Sequence, residues 1–145
     1  MSLNSIFDIA GSGMNAQSVR LNTTASNMAN AQSASSSADG VYRARHPVFS
    51  AIQGDAMSRV FAAELGGNAG QGVGVMGIVE SDAPLQRRYE PSHPLSDDEG
   101  YVFYPNVNVV EEMTNMISAS RSFQMNVEVM NSAKQMMQRA LTLGQ

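Results

Sequence analysis

Two amphipathic patterns, one at each end of the chain, dominate the distribution of apolar and polar residues. The first has mostly apolar residues three and four positions apart: Leu3, Phe7, Ala10, Met14, Gln17, Leu21, Thr24 and Met28. The second has the same spacing: Val109, Met113, Met116, Ser120, Phe123, Val127, Met130, Lys134, Met137 and Leu141. Apolar residues at these intervals form one seam along an α-helix and are typical of coiled coils. The pattern predicts two long terminal helices that pair with each other and with copies of the chain.

The predicted first helix carries very little charge. Between Ser2 and Ala31 only Asp8 and Arg20 are charged. The face away from the seam holds uncharged polar residues: Ser5, Ser12, Asn15, Ser18, Asn22, Ser26 and Asn27. A solvent-facing helix normally shows charged side chains there, whereas loss of charge is typical of interface cores. We therefore expect contacts on more than one side of this helix. Gly11 and Gly13, each costing about 1 kcal/mol relative to alanine, indicate close backbone approach or a weak isolated helix.

The middle of the chain combines β-type runs with turn-forming residues. Four runs are predicted as strands: Val41–Ile52, Met57–Glu64, Val73–Glu80 and Tyr101–Tyr104. His46-Pro47 interrupts the first run and favours an edge strand or two short pieces. The glycine-rich segment Gly66–Gly72 is expected to join the second and third runs as a long hairpin. Gln32–Gly40 is expected to be a serine-rich loop, and Ala83–Glu99 is expected to be irregular because of its three prolines.

The start of the second helix is clearly marked. Asn108 and Glu111 have the spacing of a capping box, and Glu111 with Glu112 lies near the positive end of the helix dipole. The predicted fold is therefore α+β, with long N- and C-terminal helices pairing as a coiled coil around a small β-rich middle domain. The predicted boundaries are 1–31 for the first helix, 32–104 for the loop and β domain, and 105–145 for the second helix.

Composition excludes several classes of function. The chain has 145 residues, a net charge of −4 and no cysteine. The acidic balance argues against a nucleic-acid-binding protein, which needs a basic patch. The absence of cysteine excludes disulfides and thiolate metal sites. No run of apolar residues is long enough for direct membrane insertion, and no cleaved secretory signal is expected.

The sequence contains only weak signals for catalytic or metal-binding sites. Gly66–Gly72 lacks the Gly-Lys-Ser/Thr ending of a phosphate-binding loop and precedes a β-type run. His46 and His93 have no clustered carboxylate or cysteine that would complete a metal site. Asp97–Glu99 does not have the alternating spacing of a calcium loop. Arg87-Arg88 is too short for a nucleic-acid arm and is expected on a solvated strand face. We expect no enzyme, no metal and no cofactor.

The terminal motifs resemble one known family. Ile6–Met14 with Leu21–Ala31 looks like the N-terminal signature of bacterial flagellar rod and hook axial proteins, and Pro105–Met113 with Ser118–Val127 resembles their C-terminal signature. Within that family the chain is most similar to proximal-rod members in its length and in several short segments: Tyr42–Arg45, Val48-Phe49, Tyr89–Pro91, His93–Leu95 and Leu141–Gln145. The loop Gln32–Gly40 is longer and richer in serine than in most other rod and hook proteins.

The resemblance implies a structural protein of the flagellar basal body, placed in the periplasmic rod. It implies export by the flagellar type III apparatus without a cleaved signal peptide. It also implies helical assembly into the hollow drive shaft that transmits torque and encloses the export channel. The implied partners are copies of the chain, other rod proteins, proteins at the base-ring and export-gate junction, and the export apparatus. Nucleic acid and membrane are not expected partners.

The subunit interface is expected on the terminal helices. Its predicted residues are Leu3, Phe7, Ala10, Met14, Leu21, Asn27, Met28, Asn30, Val109, Met113, Met116, Ser120, Phe123, Asn126, Val127, Met130, Met137 and Leu141. A second hypothesis is another type III-secreted coiled-coil protein, such as a needle-tip or translocator partner. A third, a small β-domain enzyme with helical dimerisation arms, requires a polar pocket that the sequence does not indicate.

Overall fold

The computed structural model describes residues 3–52 and 72–143. Within them, helix α1 (Leu3–Asn30) and helix α2 (Val109–Leu143) enclose the strands in sequence. The strands are β1 (Arg45–Ala51), β2 (Val73–Glu80), β3 (Gln86–Tyr89) and β4 (Tyr101–Tyr104). These elements confirm the predicted α+β class with long terminal helices. The predicted strand Met57–Glu64 and all of Gly66–Gly72 except its last residue lie outside the described residues.

The strands form two ribbons, β1 with β2 and β3 with β4. The second ribbon is antiparallel and pairs Gln86 with Tyr104 and Tyr89 with Tyr101. The predicted strands Val73–Glu80 and Tyr101–Tyr104 are confirmed. The prediction that Ala83–Glu99 is irregular throughout is wrong, because β3 lies inside it. Its prolines flank this strand without entering it, so they remove none of its ladder hydrogen bonds.

The serine-rich loop covers the free edge of β4. The backbone N–H of Ser35 donates to the carbonyl of Phe103 at 3.0 Å, and the N–H of Phe103 donates back to the carbonyl of Ser35 at 3.1 Å. The loop continues into a single 3₁₀ turn, Ala38–Gly40. Since an uncovered edge strand presents unpaired backbone groups to other chains, the loop protects this ribbon on one side.

The chain forms two compact units. The first comprises Met1–Val19, Phe49–Met76 and Ala119–Gln145. In it α1 lies close to α2 at Gly13, where an added Cβ would come within 2.9 Å of Asn126 Nδ2. Gly13 therefore leaves room for the side chain of Asn126, not for an approaching backbone, whereas a Cβ on Gly11 would meet nothing within 4 Å.

The second unit comprises Arg20–Val48 and Gly77–Ser118. In it the two helices contact each other through Arg20, whose guanidinium donates to Asn115 Oδ1 at 2.8 Å. Its buried apolar side chains are Val41, Ala44, Val102, Pro105 and Val107. The predicted cap of α2 is confirmed, because Asn108 Oδ1 accepts from the backbone N–H of Val110 at 3.1 Å.

Candidate assembly surface

A buried asparagine holds the start of β1 to helix α1. Asn27, in the last turns of α1, is 0% exposed. Its Nδ2 donates to the carbonyl of Arg45 at 2.8 Å, and its Oδ1 accepts from the backbone N–H of Arg45 at 2.9 Å. The same Oδ1 accepts from the Tyr42 hydroxyl at 2.8 Å. The side-chain amide therefore exchanges two hydrogen bonds with Arg45, as a residue of a neighbouring antiparallel strand would.

A second asparagine holds the same backbone segment. Asn106, between β4 and α2, accepts from the backbone N–H of Ala44 at 2.8 Å. Its Nδ2 donates to the carbonyls of Ser81 at 3.2 Å and Ala83 at 2.8 Å. We call Asn27 and Asn106 the asparagine clamp. Both belong to the second unit, and together they fix the chain entering β1.

Asn27 was expected at the subunit interface, and the structure places it inside the chain instead. Its amide oxygen and nitrogen are both hydrogen-bonded to the chain's own backbone, so its side chain cannot reach a neighbouring subunit. Uncharged polar residues on a helix are compatible with an interface or with internal backbone pairing, and the sequence pattern does not distinguish these roles. Neighbouring Asn30 is half-buried and donates to the carbonyl of Ser26 at 2.8 Å.

The three buried residues of α2, Glu112, Ala119 and Ala133, belong to a seam of buried and half-buried residues that differs from the predicted series. The seam residues repeat at intervals of four and three: Glu112, Met116, Ala119, Phe123, Asn126, Met130, Ala133 and Met137. Half of these positions belong to the predicted series. The others are displaced by one residue, so that Ala119 and Ala133 replace Ser120 and Lys134. Both alanines are fully buried. Their small side chains allow the backbone of α2 to lie close to the parts of the same chain that cover it.

The other predicted interface residues vary in exposure. Three are exposed: Val109, Met113 and Leu141. Those that are half-buried, besides Asn30, are Phe7, Met14, Leu21, Met28, Met116, Ser120, Phe123, Asn126, Val127, Met130 and Met137. Ala10 is buried, and the side chain of Leu3 lies outside the described residues. Only the exposed and half-buried residues are available for contacts with another subunit.

Large apolar side chains are exposed on the two flanks of the α2 seam. The leading flank consists of Val110, Met113 and Ile117, which are exposed. Met113 and Ile117 directly follow the seam residues 112 and 116, and Val110 follows residue 109, which continues the spacing of the seam. We call the trailing flank the residues that each precede a seam position: Met125, Val129 and Met136. Val110 is 72% exposed and Met125 is 60% exposed. Of these six residues only Met113 belongs to the predicted apolar series, although the offset of the others by one position from the seam is a readable signal.

Helix α1 is more enclosed than α2. Between residues 5 and 30 its exposed positions are Asp8, Asn15, Asn22, Ala25 and Ala29. Four of these repeat every seven residues and form one narrow line along the helix. The expectation that α1 is contacted on more than one side agrees with this pattern, since only one side of the helix remains exposed within the described chain.

The β3–β4 ribbon carries the two adjacent arginines. Arg87 lies 3.8 Å from the centroid of the Tyr101 ring and forms a 2.9 Å ion pair with Glu99. Arg88 lies 4.7 Å from the centroid of the Tyr104 ring. Both arginines are exposed on the strand, which confirms the predicted solvated strand face. Their charges are engaged by rings and a carboxylate of the same chain.

The hydroxyl of Tyr104, at the end of β4, has a raised pKa. Partial burial raises the pKa of its hydroxyl, which also donates to Glu90 Oε2 at 3.1 Å. The negative charge of Glu90 raises the pKa further, and Arg88 lowers it. The shift follows from the packing of the ribbon, where the hydroxyl is partly buried and faces Glu90.

Among the described residues there is neither a metal-binding cluster nor a membrane-spanning helix. Over residues 3–52 and 72–143, no three His, Cys, Asp or Glu side chains gather closely enough to hold a metal ion. His93 Nδ1 accepts from the backbone N–H of Leu95, and Asp97 Oδ1 accepts from those of Glu99 and Tyr101. These side chains organise a turn. Neither α1 nor α2, as described, has a stretch apolar enough to span a bilayer.

Comparison with known proteins identifies similar sequences over the whole chain. Residues 7–32 match the family described as flagella basal body rod protein, and residues 98–143 match the family described as flagellar basal body rod FlgEFG protein C-terminal. The flagellar basal-body rod protein FlgC of Salmonella typhimurium is 51% identical over 145 residues, with all of both chains covered. FlgC of Escherichia coli O157:H7 is 52% identical over the same length. FlgC of Borreliella burgdorferi is 38% identical over 149 residues, with 99% of this chain and 98% of that protein covered.

Proposed function

The chain belongs to the FlgC family of flagellar basal-body rod proteins, and we propose that it builds the rod through the exposed flanks of its C-terminal helix. As a member of this family it is a structural subunit of the basal body, not an enzyme, and it assembles with other rod and flagellar components. Membership of this family does not favour the alternative of a needle-tip or translocator partner.

In the proposed arrangement, copies of the chain and other rod proteins join helically through their terminal helices. The resulting shaft transmits torque and encloses the export channel. Proteins at the base-ring and export-gate junction contact one end of it, and the flagellar type III apparatus delivers the subunit. The interface residues are the exposed and half-buried ones predicted above, joined by the remaining members of the leading and trailing flanks.

One observation carries this proposal: α2 exposes two rows of large apolar side chains, the leading and trailing flanks. Apolar rows of this kind on a soluble chain mark interaction surfaces. Covering a methionine, valine or isoleucine side chain contributes about 1.5–3 kcal/mol when burial is complete. The six flank residues therefore represent a substantial driving force for association.

The proposal is tested by placing a charge on a flank. Met125→Asp puts a carboxylate on the trailing flank, where it is solvated in the free subunit and desolvated in the interface. Asn131→Asp is the matched control, because Asn131 is exposed on the same helix and is not one of the six apolar flank residues. A strain lacking the chromosomal gene would be complemented with each variant.

We expect Met125→Asp cells to be non-motile and to lack the subunit in purified basal bodies, while the subunit is still found outside the cytoplasm. Asn131→Asp cells should swim normally. Basal bodies that contain the Met125→Asp subunit at the normal level would contradict the proposal, as would equal loss of motility in both strains.

A further inference from the structure

The β3–β4 ribbon has one covered edge and one bare edge. On the covered side, Phe103 exchanges two backbone hydrogen bonds with Ser35, at 3.0 and 3.1 Å. In an antiparallel pair, the backbone groups of successive residues point alternately to one side of the strand and to the other. Phe103 therefore turns its N–H and carbonyl away from β3. Its partner on β3 is Arg87, which in turn points its own N–H and carbonyl away from β4.

The same alternation holds at the hairpin end of β3. The N–H of Tyr101 donates to Asp97 Oδ1 at 2.8 Å, and the carbonyl of Tyr101 accepts from the N–H of Asp97 at 2.8 Å. Tyr101 is paired with Tyr89, so the N–H and carbonyl of Tyr89 also point outward. We call the N–H and carbonyl groups of Arg87 and Tyr89 the outer edge of β3. In the part of the chain that the structure describes, these four groups have no hydrogen-bond partner.

The side chains of β3 leave this outer edge uncovered. Charged side chains can protect an edge strand from pairing. The Arg87 guanidinium, however, lies over the Tyr101 ring and pairs with Glu99. The Arg88 guanidinium lies over the Tyr104 ring. Both arginines are therefore directed toward β4 and away from the outer edge.

Elsewhere in the same compact unit, the chain closes its own strand edges. The amide of Asn27 bonds to the backbone of Arg45 at the start of β1, and the backbone of Ser35 pairs with Phe103 on β4. The outer edge of β3 belongs to this unit and has no such closure. An edge of this kind can accept an extended segment of another chain, which adds a strand and satisfies the open backbone groups.

The charge of Arg88 indicates what kind of segment fits. An antiparallel pairing of two β3 strands through all their outward groups would set Arg88 opposite Arg88 of the other copy, and like charges directly opposite one another are destabilising. Within the described residues Arg88 forms no ion pair. Glu90, the next acidic residue along the chain, accepts from the Tyr104 hydroxyl. A carboxylate on the incoming strand would therefore suit Arg88 better than a second copy of β3.

We propose that the outer edge of β3 binds an extended segment of a different rod protein, which pairs with it through backbone hydrogen bonds and places an aspartate or glutamate opposite Arg88. The inference rests on the proposed function, because it requires other rod proteins beside the assembled subunit. In this mode of recognition main-chain hydrogen bonds supply affinity, and alternate side chains supply specificity.

Proline at position 87 tests the edge, because it removes the outward N–H of Arg87 and none of the bonds to β4. Arg87→Ala is the matched control, since it loses the same side chain but keeps the N–H. Each variant would be expressed together with the unchanged subunit, and mass spectrometry of purified basal bodies would give the ratio of the two forms. Arg87→Pro should be incorporated about two- to tenfold less well than Arg87→Ala, as expected for the loss of one hydrogen bond.

Thermal unfolding of the purified subunits checks the direction assigned to this N–H. Arg87→Pro and Arg87→Ala should unfold at similar temperatures, because the N–H has no partner within the described chain. A markedly lower unfolding temperature for Arg87→Pro would overturn the inference, since the N–H would then be used inside the subunit. Equal incorporation of the two variants into basal bodies would overturn it as well.

A photocrosslinker at position 89 tests the same contact without proline. Tyr89→p-benzoylphenylalanine keeps an aromatic side chain and the backbone N–H. Irradiation of purified basal bodies should link the subunit to a different rod protein, at a peptide that contains an aspartate or glutamate. Linkage only to other copies of the chain, or no linkage in basal bodies that contain the labelled subunit, would overturn the inference. Failure of the proposed function is a separate result, seen as normal incorporation of the Met125→Asp subunit.

Discussion

The amide of Asn27 replaces a strand that is missing beside Arg45. An antiparallel neighbour would exchange an N–H and a carbonyl with this residue, and the planar amide offers the same two groups at 2.8 and 2.9 Å. It also receives the Tyr42 hydroxyl. A single side chain on a helix thereby satisfies three polar groups that fold against it, and its own desolvation is compensated by these bonds.

Replacing Asn27 should therefore be costly. Asn27→Ala leaves the N–H and carbonyl of Arg45 and the Tyr42 hydroxyl without this partner, which should lower the free energy of unfolding by about 2–4 kcal/mol. Chemical denaturation followed by circular dichroism measures the change. Asn22→Ala is the control, because Asn22 is exposed on the same helix, and its effect should stay within about 0.5 kcal/mol. Equal effects of the two substitutions would contradict the role of the clamp.

Tyr104 gives the folded protein a dependence on alkaline pH. Its pKa is raised in the folded chain, so folding favours the protonated hydroxyl. This stabilisation is fully present below the ordinary tyrosine pKa of about 10 and is lost as the pH rises through the folded value. In a spectrophotometric titration of the tyrosines, Tyr104→Phe should remove a late-titrating component.

Glu90→Gln separates the causes of that shift. Glutamine keeps an acceptor for the Tyr104 hydroxyl but removes the negative charge, so the pKa of Tyr104 should fall towards its ordinary value while remaining affected by burial. An unchanged or higher pKa in this variant would show that the sign assigned to Glu90 is wrong.

The role of a single side chain could be predicted from the sequence when its hydrogen-bond partner lies only a few residues away. Asn108 was predicted as the cap of α2 because its partner, the N–H of Val110, is two residues away. The partner of Asn27 is the backbone of Arg45, on a different element. Nothing in the local pattern around Asn27 indicates this partner, so its polar character was interpreted as an interface signal.

At the scale of elements, helix α2 shows why ranking residues by hydrophobicity misplaces a seam. Met113 and Lys134 lie one residue from the positions that are actually buried, Glu112 and Ala133. Close packing favours small side chains where backbones approach, and it leaves larger apolar ones on the flanks. The existence and length of the helix were predictable from its period, whereas the choice between adjacent positions depends on the shape of the neighbouring surface.

The position of the seam predicts an asymmetry between two adjacent residues. Ala119 is fully buried and Ser118 is exposed. Ala119→Leu should lower the free energy of unfolding by about 1–3 kcal/mol, because the added carbons have no space in the packed seam. Ser118→Leu, the matched control, should change it by less than about 0.5 kcal/mol. Thermal or chemical unfolding of the two variants measures the difference, and a reversed order would place the seam on the other residue.

Strand β3 illustrates a different limit of the sequence pattern. Its arginines do not alternate with apolar residues, and prolines stand on both sides of it, so the segment resembles an irregular loop. Its stability as a strand comes from partners on β4, where Arg87 and Arg88 stack on tyrosine rings. Such cross-strand pairs contribute roughly 0.2–1 kcal/mol each, and they become visible only once the register is known.

For the whole molecule, the balance between seam burial and chain entropy predicts helices that order on assembly. Ordering a residue costs about 1–2 kcal/mol in backbone entropy, and α2 leaves many of its large apolar side chains uncovered. A dilute monomer should therefore show less helix by far-ultraviolet circular dichroism than subunits in isolated rods, with the loss confined to helical segments outside the buried surroundings of Asn27 and Ala119. Full helicity in the dilute monomer would contradict this expectation.

Family and general architecture were accessible from the sequence because the terminal motifs are long and specific. The pattern placed the proposed subunit contacts on the terminal helices, but it could not separate residues used within the chain, such as Asn27, from residues that the chain leaves exposed, such as Val110. That distinction depends on which side of each helix the chain covers for itself.

The asparagine clamp also constrains the order in which the molecule can take shape. Its two members are 79 positions apart (106 minus 27), and both hold the short stretch that leads into β1. During synthesis, the first member is available early and the second only after most of the polypeptide exists. Asn27 can therefore bind the backbone of Arg45 early, but the backbone of Ala44 gains its hydrogen bond only after Asn106 has been synthesised. A chain truncated before residue 106 would lack this second bond.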